Sequence, residues 1–384
     1  MGHQLMGVLL RREGAVLLRD RGGGDSRTVL ICRFDSLPSA LRHLPRSQVS
    51  RRGIRPTGRI EGPAMMTTPT HIPVALERTL ELLAPALQEP GALVVDMTVG
   101  LGGHAEALLQ NFPHIHLLGI DRDPTALELS TERLAPHSDR LTLVQARYDE
   151  LADVLAQHYP SAPVRGILLD AGVSSMQLDV AERGFSYMAA GALDMRMNQE
   201  AGQSAADLIN SLSEAELGDL FRRYGDEPLA TRYARAIVAA RVERPITTTD
   251  QLVEILDRAT PQAHTRRGHS AKRVFQALRI AVNNELESLE AALPQALDAL
   301  DVGGRIVVLS YQSGEDRLVK HLIEKRVSVQ TPVDLPVVPE SDQPTMRWVV
   351  KGPEGATAAE QETNPRSQSV RLRAAEKIRR EVGS

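Results

Sequence analysis

Three aspartates occupy positions in the sequence from which they could share one site. Asp96, Asp121 and Asp170 each end a short apolar run that predicts a buried strand. Because ligands of open parallel sheets bind at the carboxyl ends of the strands, these side chains are expected to meet at one edge of a sheet. Carboxylates there accept hydrogen bonds from hydroxyl and amino groups and attract cations. The sequence therefore predicts a site for a ligand that carries such groups.

A glycine-containing loop follows the first of these strands, in the stretch LVVDMTVGLGGH. A strand, a glycine loop and a helix in this order are typical of nucleotide-binding α/β folds. Glycines at Gly100, Gly102 and Gly103 permit positive φ and let a ligand approach the backbone closely. Asp121 ends the next predicted strand and is placed to bind a ribose diol, with Asp123 as its near rival. The ligand is therefore expected to contain a nucleoside.

The glycine spacing and the charge distinguish between two nucleoside ligands. The spacing of the loop does not fit the G-x-G-x-x-G pattern of dinucleotide sites. Asp96 would repel a pyrophosphate but suits a ligand with ammonium and sulfonium groups. Both features favour S-adenosylmethionine over NAD, which makes a dehydrogenase the weaker hypothesis.

The acceptor of the methyl group is expected to meet the donor at Asp170, which begins the segment DAGVSSMQ. Transfer to an amino nitrogen requires oxygen atoms that hold the N–H groups and orient the nitrogen. A carboxylate and nearby backbone carbonyls can do this, and Asp170 could also accept the leaving proton. This chemistry needs neither a metal nor a covalent nucleophile.

The pattern of strands and helices predicts the elements that position these residues. Predicted strands alternate with helices up to about residue 175, which indicates a doubly wound parallel sheet with right-handed crossovers. About 110 residues without a clear strand follow and predict a helical insertion, in which residues 272–300 read as one long helix. Strands resume at 305–310 and 347–350.

Composition limits the class of protein. The chain has 384 residues, 42% of them hydrophobic, and a single cysteine, Cys32, which excludes an intramolecular disulfide. No stretch approaches the roughly 20 apolar residues of a membrane span, so a cytoplasmic protein is expected. Residues 1–66 contain twelve arginines against five acidic residues and predict a disordered, Arg-rich extension. An RNA-binding tail, a dispensable extension and a translation start at Met65 or Met66 all remain open.

Several long motifs together resemble one family. In unbroken order from His71 to Arg373, the chain closely resembles the bacterial 16S rRNA (cytosine-N4)-methyltransferases, the MraW or RsmH family, in the segments DMTVGLGGH, GIDRDPTAL, GILLDAGVSSMQLD, ERGFSY, LDMRM, FQALRIAVNNEL and NPRS. The resemblance implies a class I S-adenosylmethionine-dependent methyltransferase, with a Rossmann-like sheet and an inserted all-helical domain. It also implies methylation of the N4 amino group of a decoding-centre (P-site) cytosine in 16S rRNA.

The resemblance assigns site residues by their match to family motifs. Asp121 matches the ribose-binding acid, Tyr148 stands beside the adenine where the family usually has Phe, and Asp170 is the expected catalytic residue. Gln312 and Gly314 depart from a family segment that more often reads SFHSLEDR. The full set of implied donor-site residues is Gly102, Gly103, His104, Asp121, Tyr148, Asp170 and Gln177.

The implied organisation assigns the RNA to the insertion. The expected parts are the extension at 1–66, the methyltransferase domain at 67–175 and 285–350, the helical RNA-binding insertion at 176–284, and a polar, basic tail at 351–384. A basic cluster is expected to contact phosphates, although ion pairing on a solvated face is an equal alternative; its members are Arg222, Arg223, Arg232, Arg235, Arg241, Arg244, Arg266, Arg267, Lys272, Arg273 and Arg279. The candidates for stacking on the base are Phe185, Tyr187, Phe221 and Tyr224, whereas Trp348 is assigned to the sheet.

The expected partner is 16S rRNA within the small ribosomal subunit, with no membrane and no metal. The sequence leaves a monomer and a homodimer equally open. An amino methyltransferase acting on DNA or protein, and a non-catalytic assembly factor of the small subunit, remain alternatives.

Overall fold

The computed structural model describes residues 15–18, 29–32, 73–262, 271–329, 331 and 338–380. The chain divides into two units, Met1–Thr68 and Pro69–Ser384. In the first unit, strands β1 (Ala15–Leu18) and β2 (Val29–Cys32) pair in antiparallel orientation. The sequence predicted no element there, so this pair differs from the expected disordered extension; the other residues of 1–66 lie outside the described residues.

One seven-stranded sheet forms the centre of the second unit. Its strands are β3 (Leu93–Asp96), β4 (His116–Asp121), β5 (Leu141–Gln145), β6 (Val164–Asp170), β7 (Leu300–Ser310), β8 (Met346–Glu354) and β9 (Arg371–Lys377). They lie in the order β5-β4-β3-β6-β7-β9-β8. Strands β3 to β7 are parallel, and β9 runs antiparallel to both of its neighbours. The predicted α/β class and parallel sheet are confirmed.

The order of the strands reverses at the centre of the sheet. From β3 the chain winds outward through β4 to β5, whereas β6 returns to the other side of β3 and leads to β7. Such a switch point leaves a crevice above the carboxyl ends of the two central strands. Asp121 ends β4 and Asp170 ends β6, so both carboxylates lie at this edge.

Helices cover both faces of the sheet. Those outside the insertion are α1 (Leu76–Leu83), α2 (Gly103–Asn111), α3 (Pro124–Leu134), α4 (Leu151–His158), α11 (Glu285–Ala299), α12 (Ser313–Val327) and α13 (Ala358–Thr363). Successive side chains of a strand point to opposite faces. Accordingly, Val95 packs in one core cluster with Leu293 of α11, and Val94 packs in another with Leu108 of α2. The inner strands of the sheet are therefore buried on both faces, as their nearly uninterrupted apolar sequences require.

The segment between β6 and β7 contains the predicted helical insertion. Its helices are α5 (Ser175–Asp179), α6 (Ala205–Ser211), α7 (Glu214–Gly225), α8 (Ala230–Glu243), α9 (Thr249–Ala259) and α10 (Ala271–Asn283). Helices α6 to α10 enclose a hydrophobic cluster of their own around Phe221, Tyr233 and Leu278. The single long helix predicted over 272–300 is wrong, because Asn284 adopts a left-handed φ of 51° and separates α10 from α11. Asparagine is among the few residues that tolerate this conformation.

The C-terminal segment also differs from its prediction. Residues 371–377, expected in a polar tail, form β9 between β7 and β8. The basic residues conceal the strand in the sequence: Arg373 is buried against Asp316, and the Lys377 ammonium donates to the carbonyls of Leu297 and Asp298. Their charges are satisfied by partners, so the segment can occupy an inner position. Trp348 lies in β8, as expected.

Candidate active site

A cavity of about 500 Å³ opens at the carboxyl ends of β3, β4, β6 and β7. Of the seven implied donor-site residues, six line it: Gly103, His104, Asp121, Tyr148, Asp170 and Gln177. Gly102 is buried and does not line the cavity. The remaining walls come from the loops after β6 and β7 and from the helical insertion. Residues far apart in the sequence therefore converge on one site, as the strand-end argument predicted.

The glycine loop owes its shape to two residues at the start of α2. Gly102 has a φ of 77°, and a Cβ there would lie 3.2 Å from Cδ1 of Leu134. A Cβ on Gly103 would lie 2.5 Å from Cγ of Pro73, closer than atoms can approach. Gly102 is thus needed for the backbone turn, and Gly103 lets residue 73 pack directly against the loop. Both glycines therefore have structural roles in the loop.

Replacing Gly102 with alanine should lower the free energy of unfolding by about 1–3 kcal/mol, because alanine is strained at positive φ and crowds Leu134. The matched control is Gly314→Ala in α12, where the nearest atom to a new Cβ is 3.8 Å away. That change should stabilise the fold by up to about 1 kcal/mol, because alanine favours a helix. Denaturant unfolding of both variants checks this; equal effects would contradict the assigned strain.

Asp121 has unused acceptor capacity that faces the cavity. Its Oδ2 accepts the N–H of Gly100 at 2.8 Å, and its Oδ1 accepts the N–H of Asp123 at 2.9 Å. A carboxylate has about four acceptor positions, so about two remain for a ligand. Burial raises the pKa of Asp121 to about 6, and the backbone N–H groups of Asp123, Gly100 and Arg122 oppose this increase. The carboxylate suits a vicinal diol, whose two hydroxyls donate together.

Asp123, the near rival of Asp121, serves the structure. It is 1% exposed, and its Oδ1 caps α3 by accepting the N–H of Thr125 at 3.1 Å. Its Oδ2 accepts from Arg183 at 2.8 Å and from the amide of Gln177 at 2.9 Å. With these bonds Asp123 joins the end of β4 to the loops that follow β6. The structure therefore favours Asp121 as the ligand-facing acid.

Asp96 does not line the cavity, contrary to the expectation that it faces a cationic ligand. Its side chain is 1% exposed and accepts the N–H of Thr98 at 3.1 Å. Burial, together with the charges of Asp170 and Asp121, raises the pKa of Asp96 to about 7. Asp96 therefore has a structural role: it is buried and holds the start of the glycine loop through Thr98.

Asp170 lies deep in the cavity with 25% of its side chain exposed. Its Oδ1 accepts the hydroxyl of Tyr311 at 2.8 Å, and its backbone N–H donates to the hydroxyl of Thr98 at 2.8 Å. Burial raises its pKa to about 7, although the Tyr311 hydroxyl opposes this by stabilising the charged form. A carboxyl group with this pKa can accept a proton near neutral pH.

His104 supplies a second acceptor beside Asp170. Its Nε2 lies 3.0 Å from the carbonyl oxygen of Val74, which can only accept, so Nε2 carries the proton. Burial lowers the pKa of His104 to about 4, and the ring is neutral at physiological pH. Its Nδ1 is then an acceptor, 3.9 Å from Oδ2 of Asp170. The two atoms together can receive N–H donors from an amino or ammonium group.

Tyr148 and Gln177 lie on the same cavity but make contacts within the protein. The Tyr148 hydroxyl donates to the carbonyl of Glu285 at 3.0 Å, which leaves the ring as an apolar wall. The Gln177 amide donates to Asp123, and its Oε1 accepts the N–H of Ser174 at 3.0 Å. Gln177 therefore also holds the loop after β6 in place. A direct contact between either side chain and the donor stays a prediction.

The helical insertion forms the wall opposite the glycine loop. Helix α10 contributes Lys272, Phe275 and Gln276 to the lining, and the segment after α5 contributes Phe185 and Tyr187. The rings of Tyr187 and Phe275 meet edge to face, with centroids 5.9 Å apart. This half of the cavity offers flat apolar surfaces with a few polar groups.

Only two of the four predicted stacking residues reach the cavity lining. Phe185 and Tyr187 line it. Phe221 is fully buried in the core of the insertion, and the hydroxyl of Tyr224 donates to Glu287 at 2.7 Å. Sequence alone could not separate these aromatic residues, because all four belong to the same predicted segment.

The basic cluster is largely engaged within the protein. Arg279 lines the cavity and forms an ion pair with Glu285 at 2.8 Å. Arg223 pairs with Glu287, and Arg235 pairs with Glu214. Arg241 and Arg273 donate to backbone carbonyls, whereas Lys272 is exposed at the cavity. Arg266 and Arg267 lie outside the described residues. The ion-pairing alternative thus accounts for much of the cluster.

The segment that resembles SFHSLEDR contains a contact of Asp170 that the sequence did not reveal, from Tyr311, which stands where that segment has Phe. Tyr311 follows β7 and donates to Asp170, and Glu315 of α12 accepts the backbone N–H groups of Tyr311 and Gln312 at 2.9 and 3.1 Å. Gln312 occupies the N-cap position of α12, where its backbone N–H is accepted by Glu315. Only the pairing of β6 with β7 could have indicated that Tyr311 reaches Asp170.

The structure also bears on metals and membranes. Among the residues that it describes, no group of three His, Cys, Asp or Glu side chains could hold a metal ion. None of the described helices is long and apolar enough to cross a membrane.

Comparison with known proteins identifies relatives over most of the chain. The model of the MraW methylase family matches residues 68–378. "Ribosomal RNA small subunit methyltransferase H" of Nocardia farcinica is 53% identical over 311 residues, which cover 80% of this chain and 96% of that protein. The protein of the same name from Saccharopolyspora erythraea is 54% identical over 313 residues, 81% and 94% of the two chains.

A solved structure, an rRNA methylase from Streptococcus thermophilus, aligns with 80% of this chain and 99% of its own, at 12% identity and a TM-score of 0.37. The assignment rests on the sequence relatives and the family model, which agree with each other. The chain belongs to the MraW methylase family.

Proposed function

We propose that this protein methylates the N4 amino group of a decoding-centre, P-site cytosine in 16S rRNA of the small ribosomal subunit. S-adenosylmethionine is the methyl donor. The observation that carries the proposal is one cavity that joins an acid suited to a ribose, Asp121, to a partly buried acid suited to an amino group, Asp170. The relatives named as small-subunit rRNA methyltransferases support RNA as the substrate. A ribosomal substrate implies a cytoplasmic protein.

The donor half of the cavity fits a nucleoside that carries a positive charge. Asp121 retains acceptor positions for two ribose hydroxyls, and the ring of Tyr148 provides an apolar wall for a base. Nδ1 of His104 is an acceptor for an ammonium group, and the nearby charge of Asp170 favours a positively charged donor. When bound, the donor supplies a methyl group that its positive sulfur activates.

The acceptor half fits a single base taken out of its stack. A cytosine within folded rRNA must be extruded before its amino group can reach a carboxylate inside the cavity. Phe185, Tyr187 and Phe275 offer apolar surfaces for the extruded base, and Lys272 lies at the cavity with an exposed ammonium. A phosphate contact by Lys272 would make binding depend on salt.

The transfer itself requires orientation and the removal of one proton. An N–C bond forms, the C–S bond of the donor breaks with its electron pair remaining on sulfur, and the amino nitrogen loses a proton. Asp170 accepts an N–H hydrogen bond from the amino group, holds the nitrogen toward the methyl group, and receives the proton. Its raised pKa of about 7 suits this acceptor role near neutral pH.

An assay with labelled donor and three acceptors tests the substrate class. Small subunits from a strain that lacks the modification, naked DNA and a protein mixture are incubated with the enzyme, and subunits that already carry the modification serve as the control. We expect label only in 16S rRNA of the unmodified subunits. Label in DNA or protein would identify a different amino methyltransferase, and binding to subunits without transfer would identify an assembly factor.

A further inference from the structure

Tyr311 reaches the reacting carboxylate from a neighbouring strand. It directly follows β7, which lies beside β6 with Leu309 opposite Asp170. From this position its hydroxyl donates to Oδ1 of Asp170 at 2.8 Å. The hydroxyl therefore touches the group to which the proposed function gives the central role.

The surroundings of Tyr311 hold its ring in one orientation. The ring packs against one core cluster of the sheet, and its backbone N–H donates to the buried carboxylate of Glu315 at 2.9 Å. On the other side lies Gly172, with a φ of 122°, where a Cβ would be 3.5 Å from Cδ2 of the ring. Tyr311 is thus fixed before any ligand arrives.

The two oxygens of Asp170 consequently have different tasks. Oδ1 is occupied by the Tyr311 hydroxyl, whereas Oδ2 faces Nδ1 of His104 at 3.9 Å, a distance that leaves it without a hydrogen bond to that ring. Because Oδ1 is anchored, the carboxylate cannot rotate about its Cβ–Cγ bond without losing a hydrogen bond. Anchoring Oδ1 therefore also fixes the direction in which Oδ2 can accept a hydrogen bond.

We infer that Tyr311 is a positioning residue for methyl transfer: it anchors Oδ1 of Asp170 and thereby directs Oδ2 at the amino group of the acceptor base. This rests on the proposed function of Asp170. Tyr311 acts through Asp170, whereas the proposed function assigns the donor ribose to Asp121.

The hydroxyl also influences the charge of Asp170, since a donated hydrogen bond favours the ionised carboxylate. The ionisable groups around this pair come from several elements: neutral His104 of α2, Asp96 of β3, Glu315 of α12 and Glu360 of α13. Glu315 and Glu360 raise the pKa of the Tyr311 hydroxyl, which therefore stays protonated and able to donate. Tyr311 therefore provides the stabilisation that opposes burial at Asp170.

The test compares Tyr311→Phe with Tyr159→Phe. Both changes remove one tyrosine hydroxyl and keep the ring; the Tyr159 hydroxyl bonds Thr142 at 2.8 Å, on the β5 side of the sheet and outside the cavity lining. Single-turnover methyl transfer is measured from pH 6 to 9, and donor affinity is measured by calorimetry. We expect Tyr311→Phe to slow transfer about tenfold at pH 7, which corresponds to about 1.4 kcal/mol. Donor affinity and the rates of Tyr159→Phe should be unchanged.

The pH profile separates positioning from a general loss of structure. Loss of the hydrogen bond raises the pKa of Asp170, so the fall in rate toward acid should begin about one pH unit higher in Tyr311→Phe, and part of the deficit should disappear at pH 9. A deficit that is equal at every pH, or a wild-type rate, would overturn the inference. If the wild-type enzyme itself produces no N4-methylcytidine, the proposed function fails first.

Discussion

Asp170→Asn should reduce methyl transfer by about a thousandfold, within the range by which positioned acid–base groups contribute to catalysis. Asparagine occupies the same volume but cannot accept the amino proton, and its amide can present N–H donors where an acceptor is needed. Transfer to unmodified small subunits under single-turnover conditions measures the effect. Donor affinity should change by less than about tenfold, since the ribose is assigned to Asp121.

The matched control for this change is Asp139→Asn. Asp139 precedes β5, at the opposite edge of the sheet from the cavity, and its side chain is 75% exposed. It should retain the wild-type rate. Wild-type activity in Asp170→Asn would remove Asp170 from the mechanism, whereas equal losses in both variants would indicate an effect unrelated to the site.

The melting temperature of Asp170→Asn shows whether a loss of activity comes from the site or from damage to the fold. The pKa of Asp170 in the folded protein, about 7, exceeds the usual value of an aspartate, so the folded state binds the proton more tightly than the unfolded state does. The carboxyl therefore destabilises the fold increasingly as pH rises from about 4 to 7. Asparagine removes this cost, so the variant should melt at the wild-type temperature or above it at pH 8. A lower melting temperature would mean that the loss of activity reflects damage to the fold.

Asp121→Ala should weaken the affinity for S-adenosylmethionine by about a hundredfold, because hydrogen bonds to a charged acceptor contribute about 1.5–3 kcal/mol each. The variant also loses the acceptors for the N–H groups of Gly100 and Asp123. Asp121→Asn keeps one carbonyl oxygen and should be affected less. Calorimetric titration of both variants measures the affinity.

The rate at saturating donor distinguishes the two acids. In Asp121→Ala it should fall by less than about tenfold, because the residue binds the donor and does not touch the amino group of the acceptor. An unchanged donor affinity would show that the ribose lies elsewhere. A large loss of rate with a small loss of affinity would reverse the roles assigned to Asp121 and Asp170.

Much of the sheet was predictable from the sequence because its inner strands are buried on both faces. Runs such as Leu93–Asp96 and Val164–Asp170 contain little but apolar residues before a terminal acid, and short runs of this kind are typical of strands inside a parallel sheet. The edge at which Asp121 and Asp170 meet followed from the parallel order alone. The strand–glycine–helix pattern identified the glycine loop, and the assignment of Gly102, Gly103 and His104 to the donor by family resemblance stays a prediction.

Features that depend on contacts distant in sequence were not predictable. Asp96 looks like Asp121 in sequence, yet only Asp121 faces the cavity, because the direction of a terminal side chain depends on the loop beyond it. Strand β9 was hidden by Arg373 and Lys377, whose partners come from α12 and α11. The role of Tyr311 depends on the register between β6 and β7.

The most direct test of the account is nucleoside mass spectrometry of 16S rRNA after reaction with the enzyme. Small subunits from a strain without the modification are incubated with the wild-type protein and S-adenosylmethionine, and the rRNA is digested and mapped. We expect one methyl group, on N4 of a cytidine in the decoding centre, and none with Asp170→Asn. A methyl group on a ring carbon or a ribose oxygen would contradict the account, because neither atom requires the amino-directed carboxylate that Asp170 and Tyr311 form.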